Sequence, residues 1–76
     1  MEKYKNYSGK SNVDSFEINS DSILVVFKSG RERHYLYTYR IPGEYHVEKM
    51  KELALAGKEL NSYISRIVKA NFEEKW

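Results

Sequence analysis

The apolar residues of this sequence change their spacing once, at Pro42 and Gly43. Before that point they recur mostly at every second residue or in a short unbroken run, which is typical of strands. After it they recur at every third or fourth residue, which is typical of helices. Because all the strands precede all the helices, the sequence predicts an α+β fold with the helices packed on one face of a sheet.

Three strands are predicted before Pro42. Residues 13–19 alternate in part, residues 23–27 form an apolar run too short for a helix, and residues 31–41 carry an apolar residue at every second position from Tyr35 to Ile41. Turn-forming residues at 19–22 and 28–30 join consecutive strands. The first half of the chain is therefore predicted to be a three-stranded antiparallel β-meander.

Two helices are predicted after Gly43. The first covers residues 44–56 and the second covers about 58–71, and both carry one apolar stripe. Gly57 separates them and suits a left-handed C-terminal cap. So short a connection predicts an αα-hairpin, which completes the order βββαα.

The chain has 76 residues, which is enough for one domain. We expect that domain at residues 12–71, with a flexible N-terminal arm at residues 1–11 and a C-terminal tail at residues 72–76. The lack of Cys excludes a disulfide framework and a thiolate zinc site. No apolar run is long enough to span a membrane, and no signal peptide is evident. We therefore expect a cytoplasmic protein without a membrane partner.

The alternating tyrosines of the third strand have two interpretations. A type I turn closed by Gly30 in a left-handed bulge, or a loop two residues longer, places Tyr35 and Tyr37 on the same face as Val25. In that register the two tyrosines belong to the core. The other interpretation is an exposed aromatic platform that stacks nucleic-acid bases, for which Tyr39 is the best placed.

If the tyrosines face the core, the opposite sheet face carries Leu24, Val26 and Leu36 together with His34. A face this apolar is unusual on a monomer unless something covers it. A dimer interface, a groove for a partner protein and a seat for the N-terminal arm are all compatible with the sequence.

Several short motifs of this chain occur in a recognisable order. They are Ser11-Asn12-Val13, Ile23-x-Val25-x-Phe27-Lys28-Ser29-Gly30, Tyr35-Leu36-Tyr37 and Gly57-x-x-Leu60-Asn61-x-x-Ile64. Together, over residues 11–68, they resemble the KTSC domain, a small module found at the C-terminus of some lysyl-tRNA synthetases and as stand-alone bacterial and phage proteins. RNA binding has been suggested for that family, and it is what the resemblance implies here. The hairpin before Tyr35 is longer in this chain than in the family pattern.

The net charge is only +2, so a nucleic-acid site depends on where the basic residues lie. Arg31, Arg33 and Arg40 belong to the third strand and its hairpin, while the second helix carries further cations along its polar side. That helix face is either simply solvated or borders the same surface as the strand. In the second case the basic residues form a phosphate-binding strip with tyrosine between them. The candidate nucleic-acid-binding residues are Tyr35, Tyr37, Tyr39, Arg31, Arg33, Arg40, Lys58, Arg66 and Lys69.

Enzymatic chemistry is not predicted. The two histidines, His34 and His46, lack the spacing of metal ligands, and no serine lies in a nucleophile elbow. We therefore expect no catalytic residue, metal or cofactor. Asn61, in the first turn of the second helix, is expected to bond its amide to the backbone of the meander.

Two functions follow from these patterns. The first is a small non-enzymatic binding module that contacts RNA or another nucleic acid through its Tyr, Arg and Lys side chains. The alternative is a protein-interaction or homodimerisation module that uses Leu24, Val26 and Leu36.

Overall fold

A five-stranded antiparallel sheet and two helices make up the structure, a computed structural model that describes all 76 residues. The strands lie in the sheet in the order in which they occur along the chain. They are β1 (Glu2–Lys3), β2 (Val13–Asn19), β3 (Ser22–Phe27), β4 (His34–Thr38) and β5 (Glu74–Lys75). The α+β class is confirmed, but the predicted number of three strands is wrong.

The two additional strands come from the segments predicted to be an arm and a tail. β1 pairs with β2, so that Glu2 lies opposite Phe16, and β5 pairs with β4, so that Glu74 lies opposite Leu36. Just after β1, Tyr4 is only 3% exposed and belongs to the core. Neither strand is visible in the apolar periodicity because both are two residues long. They form because the edges of β2 and β4 present unpaired N–H and C=O groups to any nearby backbone.

Helix α1 covers Glu44–Ala56, as predicted. Gly57 follows it with φ 74°, and its N–H donates to the carbonyls of Leu53 and Ala54. The second helix is shorter than predicted. It consists of α2 (Leu60–Tyr63), which continues directly as a π-helical turn at Ile64–Val68.

The second helix is bounded by two residues with left-handed backbone conformations. Glu59 has φ 66° and Lys69 has φ 54°, and neither is a glycine. Such φ values interrupt a right-handed helix, and they are costly for residues with a Cβ. The residues between them therefore form a helix of little more than two turns instead of the predicted fourteen residues from Lys58 to Asn71.

One face of the sheet, the covered face, packs against the helices. Val25 lies opposite Tyr35 and Ile23 lies opposite Tyr37, so both tyrosines point to this face, as the turn argument predicts. Helix α1 contributes Val47 and Met50 to the same core and the second helix contributes its own apolar stripe. The buried core consists of Tyr4, Val13, Phe16, Ile23, Val25, Tyr37, Val47, Met50, Ala54, Leu60, Ile64 and Val68.

The other face of the sheet, the open face, has no helix over it. Leu24 lies opposite Leu36 and Val26 lies opposite His34, and all four side chains are half-buried. At the edge of this face the His34 and Trp76 rings stack with their centroids 5.4 Å apart. Neither helix of the protein has the length and apolar composition needed to cross a membrane.

Candidate functional site

A cleft of about 380 Å³ opens between the β3–β4 loop and the end of the second helix. We call it the hairpin cleft. It brings Arg31 of the loop to the same site as Lys69, although the sequence places these cations in separate basic groups. Its lining residues are Asn12, Phe27, Ser29, Gly30, Arg31, Glu32, Tyr35, Tyr37, Ile64 and Lys69.

The floor of the hairpin cleft is formed by two tyrosines. Tyr37 is 1% exposed, and burial raises the pKa of its hydroxyl, with a further contribution from neighbouring Tyr35. The hydroxyls of Tyr4, Tyr39 and Tyr63 each have a hydrogen-bond partner in the protein, whereas those of Tyr35 and Tyr37 have none. No fully buried polar side-chain atom of the protein lacks a partner, so the Tyr37 hydroxyl keeps a small exposed surface, and Tyr37 is one of the residues that line the cleft. Its hydroxyl remains a protonated donor at neutral pH.

One wall of the hairpin cleft comes from the start of β2 and the end of β3. The Ser29 hydroxyl donates a hydrogen bond of 3.1 Å to the side-chain oxygen of Asn12. The amide nitrogen of Asn12 is left as a donor. In an antiparallel pair the start of one strand lies beside the end of its neighbour, which is why these two residues meet.

The cations of the hairpin cleft are not neutralised by nearby carboxylates. Neither Arg31 nor Lys69 takes part in any of the ion pairs of the protein. Glu32 is the one carboxylate in the lining, and its oxygen lies 3.4 Å from the ammonium group of Lys75. Lys69 also holds its left-handed backbone conformation at this point, and strained residues of this kind concentrate at binding sites.

The aromatic rings beside the cleft form a core cluster. Tyr35 meets Phe27 edge-to-face at 5.2 Å and 88°, and it meets Phe72 in the same way at 5.1 Å and 84°. These contacts are the arrangement that aromatic rings prefer in protein interiors. Tyr35 and Tyr37 therefore do not form an exposed platform for stacking bases, and their hydroxyl groups are the parts that a ligand could contact.

Tyr39 lies outside the hairpin cleft and contacts helix α1. Its hydroxyl donates a hydrogen bond of 2.6 Å to Glu48, and the ammonium group of Lys51 lies 5.6 Å from its ring centre. The hydrogen bond to Glu48 raises the pKa of Tyr39 to about 12. The residue expected to be the best stacking surface is thus held in a network with α1.

Arg40 and Arg33 also lie outside the hairpin cleft. The guanidinium of Arg40 binds the carboxylate of Glu73 through both oxygens, one of them at 3.0 Å from Nε. This contact, together with the hydroxyl of Thr38, holds the pKa of Glu73 below its usual value. Arg33 is exposed on the β3–β4 loop.

The remaining cations of the second helix point elsewhere. Lys58 is exposed at the helix junction, and Arg66 lines a separate groove of about 260 Å³ between α1 and the second helix. The fold therefore does not gather the predicted basic residues into one strip. The other residues of that groove are Lys49, Leu53, Glu59, Ser62, Tyr63 and Ile67.

The motif residues around Gly57 are structural. A Cβ on Gly57 would lie 2.7 Å from the Cβ of Lys5, so only glycine allows the N-terminal segment to pack here. Leu60 and Ile64 lie in the core. Asn61 differs from expectation, since it lines a small polar pocket with Lys10 and accepts a hydrogen bond only through its backbone carbonyl. Its amide does not join the helix to the meander.

Sequence reasoning did not select Asn12, Phe27, Ser29 or Glu32 as site residues. Three of them occur in the motifs that resemble the KTSC domain, but those motifs show no chemical role by themselves. The strand topology could have indicated that Asn12 and Ser29 lie close together, because the start of β2 and the end of β3 lie at the same end of an antiparallel pair. No group of His, Asp or Glu side chains in the chain could hold a metal ion.

No protein-family model, curated protein sequence or solved structure matches this chain. The resemblance to the KTSC domain therefore stays a prediction. Any function of the hairpin cleft has to rest on the geometry of its own residues.

Proposed function

We propose that this protein is a small non-enzymatic module that binds RNA or another nucleic acid at the hairpin cleft. The observation that supports this most directly is that Arg31 and Lys69, which form no ion pair and come from distant parts of the chain, line the same cleft as Tyr35 and Tyr37. Cations and hydroxyl donors together are the groups with which proteins hold phosphate and sugar oxygens.

In binding of this kind the protein contacts the sugar-phosphate backbone of the nucleic acid. The tyrosine rings are packed edge-to-face in the core, so base stacking contributes little. With few phosphate contacts the affinity is modest and depends on salt, because each contact releases bound counterions. Base sequence has little influence on such an interface.

The experiment is a titration of a short single-stranded RNA, followed by fluorescence anisotropy. Raising the salt from about 50 to about 200 mM should weaken binding roughly twentyfold if about three phosphates are contacted. Lys69→Gln should weaken binding by about tenfold, as expected for the loss of one charged hydrogen bond. Lys58→Gln removes the same charge outside the cleft and is the matched control. Absence of binding at low salt, or an equal effect of the two substitutions, would contradict the proposal.

We also propose that β2, β3, β4 and the two helices form the βββαα arrangement implied by the KTSC resemblance. The consecutive antiparallel pairings and the positions of Gly57 and Leu60 support this. In this view β1 and β5 are additions at the two edges of a common sheet.

A second candidate function is homodimerisation through the open face. Leu24, Val26 and Leu36 form an apolar centre that no helix covers. Lys3 lies on this face in edge strand β1 and Glu74 lies on it in the opposite edge strand β5. A two-fold axis along the strands would place β1 of one copy over β5 of the other and bring these opposite charges together.

Sedimentation equilibrium tests the dimer. The wild-type protein should self-associate as its concentration rises, and Leu36→Lys should be monomeric because it places a charge in the apolar centre. Lys58→Gln, which is far from this face, should leave the equilibrium unchanged. A wild-type protein that stays monomeric at high concentration would remove this candidate.

A further inference from the structure

The polar side chains of the hairpin cleft are nearly all hydrogen-bond donors. Arg31 and Lys69 are cations, and Tyr35 and Tyr37 offer hydroxyls without partners. Asn12 has its acceptor oxygen occupied by Ser29, which leaves its amide nitrogen free. The ligand that matches this lining is rich in acceptors and carries negative charge.

The one carboxylate in the lining does not change this picture. The carboxylate of Glu32 is drawn toward Lys75, at 3.4 Å, and Arg31 and Lys69 outnumber it. A nucleobase is a poor match, because its edge needs both donors and acceptors and its flat faces need exposed rings. The rings of Phe27 and Tyr35 are engaged with each other and with the core.

The burial of Tyr37 selects among phosphate groups. Tyr37 lines the cleft but is only 1% exposed, so a ligand must project a group past the more exposed lining residues to reach its hydroxyl. An internal phosphodiester has a chain leaving it on both sides and carries a single negative charge. A terminal phosphate has one attachment, three free oxygens and a charge near −2 at neutral pH.

We propose that the hairpin cleft receives the phosphomonoester group at the end of a nucleic-acid strand. Arg31 and Lys69 neutralise its two charges, and the hydroxyl of Tyr37 donates to one of its free oxygens. Tyr35 and the amide of Asn12 supply the remaining hydrogen bonds. This inference rests on the proposed function for the rest of the strand, and no covalent chemistry is involved.

The test compares short single-stranded RNAs that differ only at one end. In the first pair, one RNA has a 5′-phosphate and the other a 5′-hydroxyl, and both carry the fluorophore at the 3′ end. In the second pair, one RNA has a 3′-phosphate and the other a 3′-hydroxyl, and both carry the fluorophore at the 5′ end. We expect a phosphorylated end to bind about tenfold more tightly than its hydroxyl counterpart, as for a hydrogen-bonded charged group. Equal affinities in both pairs would overturn the inference and leave the proposed function standing.

Tyr37→Phe removes only the hydroxyl at the floor of the cleft and keeps the ring in the core. It should abolish the preference for a phosphorylated end, and a preference retained in this variant would overturn the role of Tyr37. Tyr39→Phe is the matched control, because its hydroxyl bonds to Glu48 outside the cleft. That control should keep the preference, and thermal melting verifies that both variants are folded.

If no RNA binds, the proposed function fails. The binding of a phosphomonoester by the cleft is then tested separately with free nucleotides. Adenosine monophosphate and adenosine are then titrated and followed by amide chemical shifts of the β3–β4 loop. Binding of the monophosphate alone, lost in Tyr37→Phe, supports a phosphomonoester receptor without a nucleic-acid strand. Absence of binding by the monophosphate overturns the inference as well.

Discussion

The two faces of the sheet are made of alternate residues of the same strands, yet they differ in burial and in the chemical groups that a partner could contact. On the covered face Val25 lies beneath the helices and is inaccessible to solvent, and Tyr37 is only 1% exposed. On the open face Val26 and Leu36 are half-buried and no helix packs over them. The hairpin cleft lies on the covered face, at the point where the second helix ends at Lys69.

This difference shows how a small domain can build a polar site. Where the helix cover stops, donors such as the Tyr37 hydroxyl lie in surroundings of low dielectric, which strengthens their hydrogen bonds to a ligand. The open face has aliphatic area but few sheltered polar groups, so it can contribute mainly hydrophobic contact. One face is therefore suited to a charged ligand and the other to a protein surface.

The largest expected effect comes from placing the same charge on each face in turn. Val25→Asp buries a carboxylate in the core, and its penalty of several kcal/mol matches the stability of ~5 kcal/mol of a small domain. That variant should show no cooperative unfolding in urea by circular dichroism. Val26→Asp, the next residue on the open face, should unfold cooperatively. Similar behaviour of both variants would mean that the open face is as tightly packed as the covered one.

A smaller effect is expected at two glycines that have the same positive φ angle. Gly57 and Gly9 both have φ 74°, but only at Gly57 would a Cβ meet another residue, Lys5, at 2.7 Å. Gly9→Ala should cost ~1 kcal/mol of unfolding free energy from backbone strain alone. Gly57→Ala should lose the same unfolding free energy from strain and about 2 kcal/mol more because the added Cβ overpacks the site. Equal losses in urea denaturation would show that the N-terminal segment moves aside without penalty.

A still smaller effect, of opposite sign, is expected at the floor of the cleft. Tyr37→Phe should leave the unfolding free energy unchanged or raise it by up to about 1 kcal/mol, because its hydroxyl has no partner in the protein. The same change removes a ligand contact, so stability and binding should respond in opposite directions. A marked loss of stability in thermal melts would mean that the hydroxyl has a structural role.

The smallest effect concerns the ion pair that borders the open face. Arg40 and Thr38 lower the pKa of Glu73 below its ordinary value of 4.5 in the folded protein. The stabilisation is therefore present above that ordinary value and is lost as the pH falls through the lowered one. Between neutral pH and about pH 3 the wild-type protein should lose slightly more thermal stability than Glu73→Gln. Equal losses would show that the exposed pair contributes nothing measurable.

Much of the fold could be predicted because apolar periodicity reflects local geometry. The alternation from Tyr35 to Tyr39 identified a strand, and the turn at Gly30 gave the face to which its tyrosines point. The bounds of α1 were also accessible, since Gly57 provides a clear C-terminal cap. The second helix was predicted too long, because nothing in the local pattern marks the left-handed conformations of Glu59 and Lys69.

By itself the sequence determined the α+β class, the position of the three longer strands before the two helices and the residues of those strands that face the core. Only the tertiary structure decided that both ends of the chain join the sheet as edge strands. It also decided which polar groups meet at the hairpin cleft, where Asn12, Arg31 and Lys69 converge from distant positions. The physical reason is that periodicity is set by each residue and its near neighbours, whereas a cleft depends on where the end of one element docks against another.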